Sequence, residues 1–125
     1  MANRIRIQAG EVEGTALLND GPTAAKFWES LPLEGSANTW GDEIYFAIDL
    51  EASPEAGARE EMEVGEVAFW PPGRAFCIFF GPTPASRGEA PRAASPVNPL
   101  GRVEGDATLF RKVRPGTRVS LSRAD

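Results

Sequence analysis

Two apolar runs hinged on Pro71-Pro72-Gly73 dominate the segment EVAFWPPGRAFCIFFGPTP, residues 66–84. Val67 and Phe69 fall on one side of an extended backbone and Ala68 and Trp70 on the other, and the alternation resumes over residues 75–80 with both faces apolar. Paired strands covered on both sides carry this pattern. Trp70 precedes a proline, which favours extended geometry, and Pro72 followed by Gly73 fits the central positions of a type II turn. The segment reads as a hairpin buried on both faces.

The rest of the chain is punctuated too often for long helices. Thirteen Gly and eleven Pro among 125 residues leave room for short strands and turns, so the class is mainly β, in a single domain. A net charge of −5 without a contiguous basic run provides little to neutralise phosphates, so nucleic acid is not expected as a partner. No apolar region follows the charged start, and no stretch approaches membrane-spanning length, so no membrane association and a cytoplasmic location are expected. Cys77 is the only cysteine. It allows no internal disulfide, points to a reducing compartment, and sits in an apolar run as a buried, inert thiol.

Ile5 and Ile7 alternate with charged neighbours, and a turn at Ala9-Gly10 leads into a second strand ending near Leu18. Ala24, Phe27, Trp28 and Leu31 then recur at helical spacing, predicting a helix over residues 23–31 that Pro32 ends, with Trp28 in the buried stripe. Its N-cap is Asp20 or Thr23. Ile44, Phe46 and Ile48 share one face of a further strand, and Tyr45 and Ala47 share the other. The acidic stretch 51–63 reads as an exposed loop before Met62 and Val64 re-enter the core. Residues 82–101, with five prolines among Ala, Ser and Arg, read as a long mobile surface loop. A strand over 102–104, a short helix over 106–112 capped by Asp106 with Leu109, Phe110 and Val113 inward, and a strand over 117–122 complete the chain.

A hairpin running into ALLNDGPTAAKFWESL resembles the opening of cyclophilins. GRAFCIFFG resembles their apolar strand after a Gly-containing loop, and GRVEGDATLFRKV followed by TRVSL resembles their closing strand, short helix and last strand. The combination of WGDEIYF and WPPGRAFCIFFGPTP is similar to compact prokaryotic cyclophilin-like proteins, a family of largely unknown function. The resemblance implies a cyclophilin-like closed β-barrel of about eight strands with one longer and one short helix. It also implies that the strand after the first helix and the central hairpin flank a groove. Trp40, Glu43, Tyr45, Trp70 and Arg74 would then lie near that groove, with either Phe76 or Cys77, since a one-residue slip exchanges the two.

The chain has no histidine, which removes Ser-His-Asp and Cys-His catalysis and the common His-bearing metal sites. No metal and no cofactor are expected. Asp42 and Glu43 enter a strand side by side and so point to opposite faces, which prevents them from acting as a carboxylate pair. Peptidyl-prolyl isomerisation, the activity of cyclophilins, is implied by the resemblance together with an arginine on the strand after the first helix, a glutamine, a tryptophan and a histidine. Here residues 27–58 contain no Lys or Arg, Gln8 is the last glutamine, and no tryptophan follows Trp70. Two readings follow: a module that binds a small molecule or short peptide in an aromatic groove, and an altered isomerase using Arg74. The first is preferred, with Arg74 expected to carry most of the groove's polarity.

Overall fold

Ile5 and Ile7 point inward from β1 (Arg4–Ala9), and Gly10, at φ +61°, turns the chain into β2 (Val12–Leu18). The computed structural model describes residues 3–124. Helix α1 (Pro22–Ser30) follows, then β3 (Leu33–Ser36), β4 (Asn38–Thr39), β5 (Glu43–Ala47) and β6 (Arg59–Glu61). The central hairpin is β7 (Glu66–Trp70) and β8 (Ala75–Phe79); β9 (Arg92–Val103), a 3-10 segment (Ala107–Lys112) and β10 (Arg118–Arg123) complete the chain.

Nine strands form one antiparallel path, β3-β10-β1-β2-β9-β7-β8-β5-β4, and β6 pairs with β9 beside it. The two ends of that path, β3 and β4, are separated in sequence by Ala37 alone, so the sheet curls until its edges meet. No ladder joins β3 to β5. Gly35 instead lies against the Phe46 ring, where a Cβ would stand 2.6 Å from a ring carbon, and Ala37 exchanges backbone hydrogen bonds of 2.8 Å with Gly116 and Thr117. Among the described residues the expected barrel of about eight strands is a mainly β sheet of ten strands, curled on itself with a packed seam.

Phe27 of α1 stacks on Phe76 at 5.3 Å between ring centres, and Phe46 meets the same ring at 5.6 Å, so the helix covers the main core from one side. Trp28 is half-buried, with the Arg123 guanidinium over its ring at 4.6 Å. Neither proposed residue caps the helix. Gly21 is the N-cap, and Glu55, from the acidic stretch, accepts a hydrogen bond from the Thr23 N–H at 2.9 Å. A carboxylate at this end suits the exposed N–H groups and the helix dipole. Asn98 fastens the arrangement, accepting from the Glu55 N–H and donating to Thr23 Oγ1 and the Ser53 carbonyl.

The largest departure from expectation lies in residues 82–101. Their second half is not a loop but the start of the twelve-residue β9, which pairs with β2, β6 and β7. Proline removes a ladder donor and so argues against a strand. Pro99 is accommodated because Leu100 is an extra residue between the pairs Val67↔Gly101 and Ala68↔Pro99, a bulge that interrupts the ladder there. Residues 59–61 likewise form β6 rather than loop. Val64 and Leu109, expected inside, are 47% and 44% exposed, while Met62, Phe110 and Val113 are buried. The hairpin turn is a 3-10 turn over Pro71–Gly73 rather than type II, with the positive φ of 48° at Arg74 instead of Gly73.

Together β6 and the first half of β9 lie across the outer face of β7 and β8. A second apolar cluster of Met62, Ala68, Ala75, Cys77, Phe79, Ala93 and Val97 fills the space between. This is why β7 and β8 are apolar on both sides. Among the described residues no helix is long and apolar enough to cross a membrane.

Candidate functional site

Strand parity decides which side chains can meet. Glu43, the first residue of β5, faces the same side as Tyr45, which is directly opposite Cys77 on β8. Ile44 and Phe46 face the main core with Phe76. Cys77 is thus the residue on the groove side, and Phe76 belongs to the opposite face, packed between Phe27 and Phe46.

On that outer face, Trp40, Tyr45 and Trp70 surround a pocket of about 220 Å³ with Glu43 among its lining residues. Ala93, Ala94 and Val97 of β9 form the far wall. Trp40 is held at the start of β5 by its backbone N–H bond to the Glu43 carbonyl, 3.0 Å, across a turn in which Gly41 takes φ +61°. Trp70 donates from Nε1 to Ser95 Oγ at 2.7 Å, which ties it to β9. Its ring lies over Gly73, where a Cβ would stand 2.6 Å from the ring. The Pro-Pro-Gly turn therefore positions the tryptophan as well as reversing the chain.

Glu43 is 6% exposed. Burial pushes its carboxyl up from the usual 4.5 to about 7, and a hydrogen bond with the Cys77 thiol only partly opposes this. Burial likewise raises the Cys77 thiol well above the ordinary range, and the neighbouring Glu43 charge adds to it, so the cysteine remains protonated. Among the described residues Glu43 has no ion-pair partner. Its neighbour Asp42, in the bend just before β5, pairs with Arg111 at 3.0 Å. Nor is any group of three or more potential metal-ligating His, Cys, Asp or Glu side chains found among the described residues.

Arg74 does not join the pocket. It pairs with Glu51 at 3.2 Å, is more than half exposed, and lines a separate depression with Lys26 and Glu51. The left-handed backbone at Arg74 ends the 3-10 turn, whereas a type II turn would place the positive φ at Gly73.

Four of the seven residues singled out in the sequence line one cavity, Cys77 lies beneath it, and Arg74 and Phe76 lie elsewhere. The contribution of β9 was missed. Its inward residues Ala93 and Val97 share a strand face, but the polar Ser95 between them and the surrounding prolines leave no clear period-two apolar pattern in the sequence.

The family model described as Cyclophilin-like matches residues 3–122. The chain belongs to the cyclophilin-like family. Its fold is similar to the solution structure of a hypothetical protein from Archaeoglobus fulgidus, with a TM-score of 0.83 and 36% sequence identity over 98% of this chain and 95% of that one. No curated protein matches the chain. In this cyclophilin-like protein the aromatic pocket is lined, among the described residues, by a carboxyl group and no guanidinium, unlike the arginine-bearing groove that the resemblance to cyclophilins implies.

Proposed function

We propose that the protein binds a small organic molecule in the pocket between β5, β7, β8 and the first half of β9. One observation carries this reading: three aromatic side chains and a buried, ion-pair-free carboxyl surround about 220 Å³ of open space. The pocket opens to solvent at Ala94, and an apolar cavity of about 150 Å³ already admits benzene. The space suits one ring with a short polar arm better than an extended peptide. Aromatic walls supply contact area, and a single polar group fixes orientation.

Protein-observed NMR with single-ring fragments tests the proposal. The indole N–H signals of Trp40 and Trp70 should shift on titration, while the backbone signals of Glu51 and Arg74 stay still. Ala94→Trp, which places a bulky ring at the exposed rim of the pocket, should abolish those shifts and leave the fold's spectrum intact. Shifts confined to the Arg74 depression, or unchanged binding in the Ala94 variant, would refute it.

A further inference from the structure

Resting on the reading of this pocket as a ligand site, we infer that its ligand is a small organic cation, an ammonium group on a single ring, seated against Glu43 among Trp40, Tyr45 and Trp70. The first argument is charge. Among the described residues Glu43 is the only acid lining the cavity, and no Lys or Arg lines it. An anion entering there would meet an acid and no charged donor, whereas a cation meets its counter-charge.

The second argument is the kind of wall. Indole and phenol faces carry negative electrostatic potential and attract cations, most strongly where water is excluded. Two tryptophans and a tyrosine around one carboxyl combine that attraction with a direct ion pair.

The third is that Glu43 has capacity to spare. The donor beside it is the Cys77 thiol, a weak one that also reaches the Ala75 carbonyl at 3.8 Å, and a carboxylate has about four acceptor positions. The cations on the elements packed around it are committed to other acids: Arg59 of β6 to Glu66, Arg92 and Arg102 of β9 to Glu60 and Glu63, and Arg111 to Asp42. Besides Cys77 on β8, the titratable group facing the cavity with it is Tyr45. A bound ammonium would supply the missing partner, and it would do so only for the ionised carboxylate. Near neutral pH the acid is part-protonated, so cation binding releases a proton and strengthens as pH rises through about 7.

The test compares benzylammonium, benzyl alcohol and benzoate by calorimetry on the intact protein. Benzylammonium should bind at least about tenfold more tightly than benzyl alcohol at mildly alkaline pH, benzoate should not bind measurably, and the preference should shrink as pH falls. Glu43→Gln, nearly isosteric, should bring benzylammonium down to the affinity of the alcohol, with folding checked by thermal melting. Equal affinities for the amine and the alcohol would overturn the cation assignment while leaving the pocket as a ligand site. Binding that strengthens on acidification would overturn it in favour of a neutral acceptor held by the protonated acid. No binding of any of the three would overturn both readings.

Discussion

Replacing Glu43 with glutamine should remove a specific part of the protein's pH-dependent stability. In the unfolded chain this carboxyl ionises near 4.5, and in the fold not until about 7, because burial opposes the charge. Between those values the unfolded state has lost the proton that the folded state retains, so stability falls as pH rises and levels off above about 7. Each pH step of that interval is worth about 1.4 kcal/mol, so the decline attributable to Glu43 is at most about 3 kcal/mol. Glutamine keeps the shape and does not ionise. Urea unfolding of both proteins at about pH 5 and about pH 8 should show near-equal stability at the acidic end and an advantage of about 2–3 kcal/mol for the variant at the alkaline end. Groups such as Glu66, which burial raises but Arg59 and the Glu63 amide lower overall, change stability on the acidic side instead and cancel in the difference. A difference that stays flat across the interval would show that Glu43 is solvated through the pocket mouth and is not a buried acid.

Asn98→Ala deprives Thr23, Ser53 and Glu55 of a fully buried partner at once and should cost about 3 kcal/mol by chemical denaturation; a loss below about 1 kcal/mol would mean that the acidic stretch holds its place without it. Removing residues 87–89 should change stability by less than about 1 kcal/mol, since the Ser86 hydroxyl already reaches the Ala90 carbonyl at 2.8 Å, whereas a deletion extended to Ala94 takes the start of β9 and should prevent folding. Equal tolerance of both deletions would contradict the role given to β9. Arg74→Ala should alter stability by less than about 0.5 kcal/mol, because the pair with Glu51 is solvent-exposed, and should leave fragment binding unchanged. Xaa-Pro isomerisation by the unmodified protein should be near background, and robust activity lost with Arg74 would reinstate the isomerase reading.

Strand alternation made much of the curled sheet legible. Ile5 and Ile7, Ile44 and Phe46, and the doubly apolar central hairpin each declared their faces, and the helical stripe of Ala24 and Phe27 declared α1. Parity also gave Glu43 the face of Tyr45, while Trp40, Glu43, Tyr45 and Trp70 came together through the resemblance to cyclophilins, which sets the two segments beside a groove. What failed depended on contacts remote in sequence. Pro96 and Pro99 suggested a loop because the local rule does not foresee a bulge that accommodates a proline in a strand. Glu55 as the helix's capping carboxylate, thirty-two residues from Thr23, has no local signature at all. Arg74 was misplaced at the turn: Pro71-Pro72-Gly73 suits several reversals, and here a 3-10 turn ends on a left-handed Arg74 whose side chain pairs with Glu51 outside the pocket. Phe76 and Cys77 could not be ordered until the register with Tyr45 was known.

The seam at Gly35 also bears on self-association. An open sheet normally exposes two separate rows of unpaired N–H and C=O groups, each a template on which another copy can add a strand. Here the two rims of the main path are brought side by side by the single residue Ala37, and the Phe46 ring fills the gap at Gly35. A foreign strand has one place to enter that path rather than two, and it would have to dislodge a core phenylalanine to do so. The close approach of the two rims thus rests on Gly35, which has no Cβ to meet the Phe46 ring.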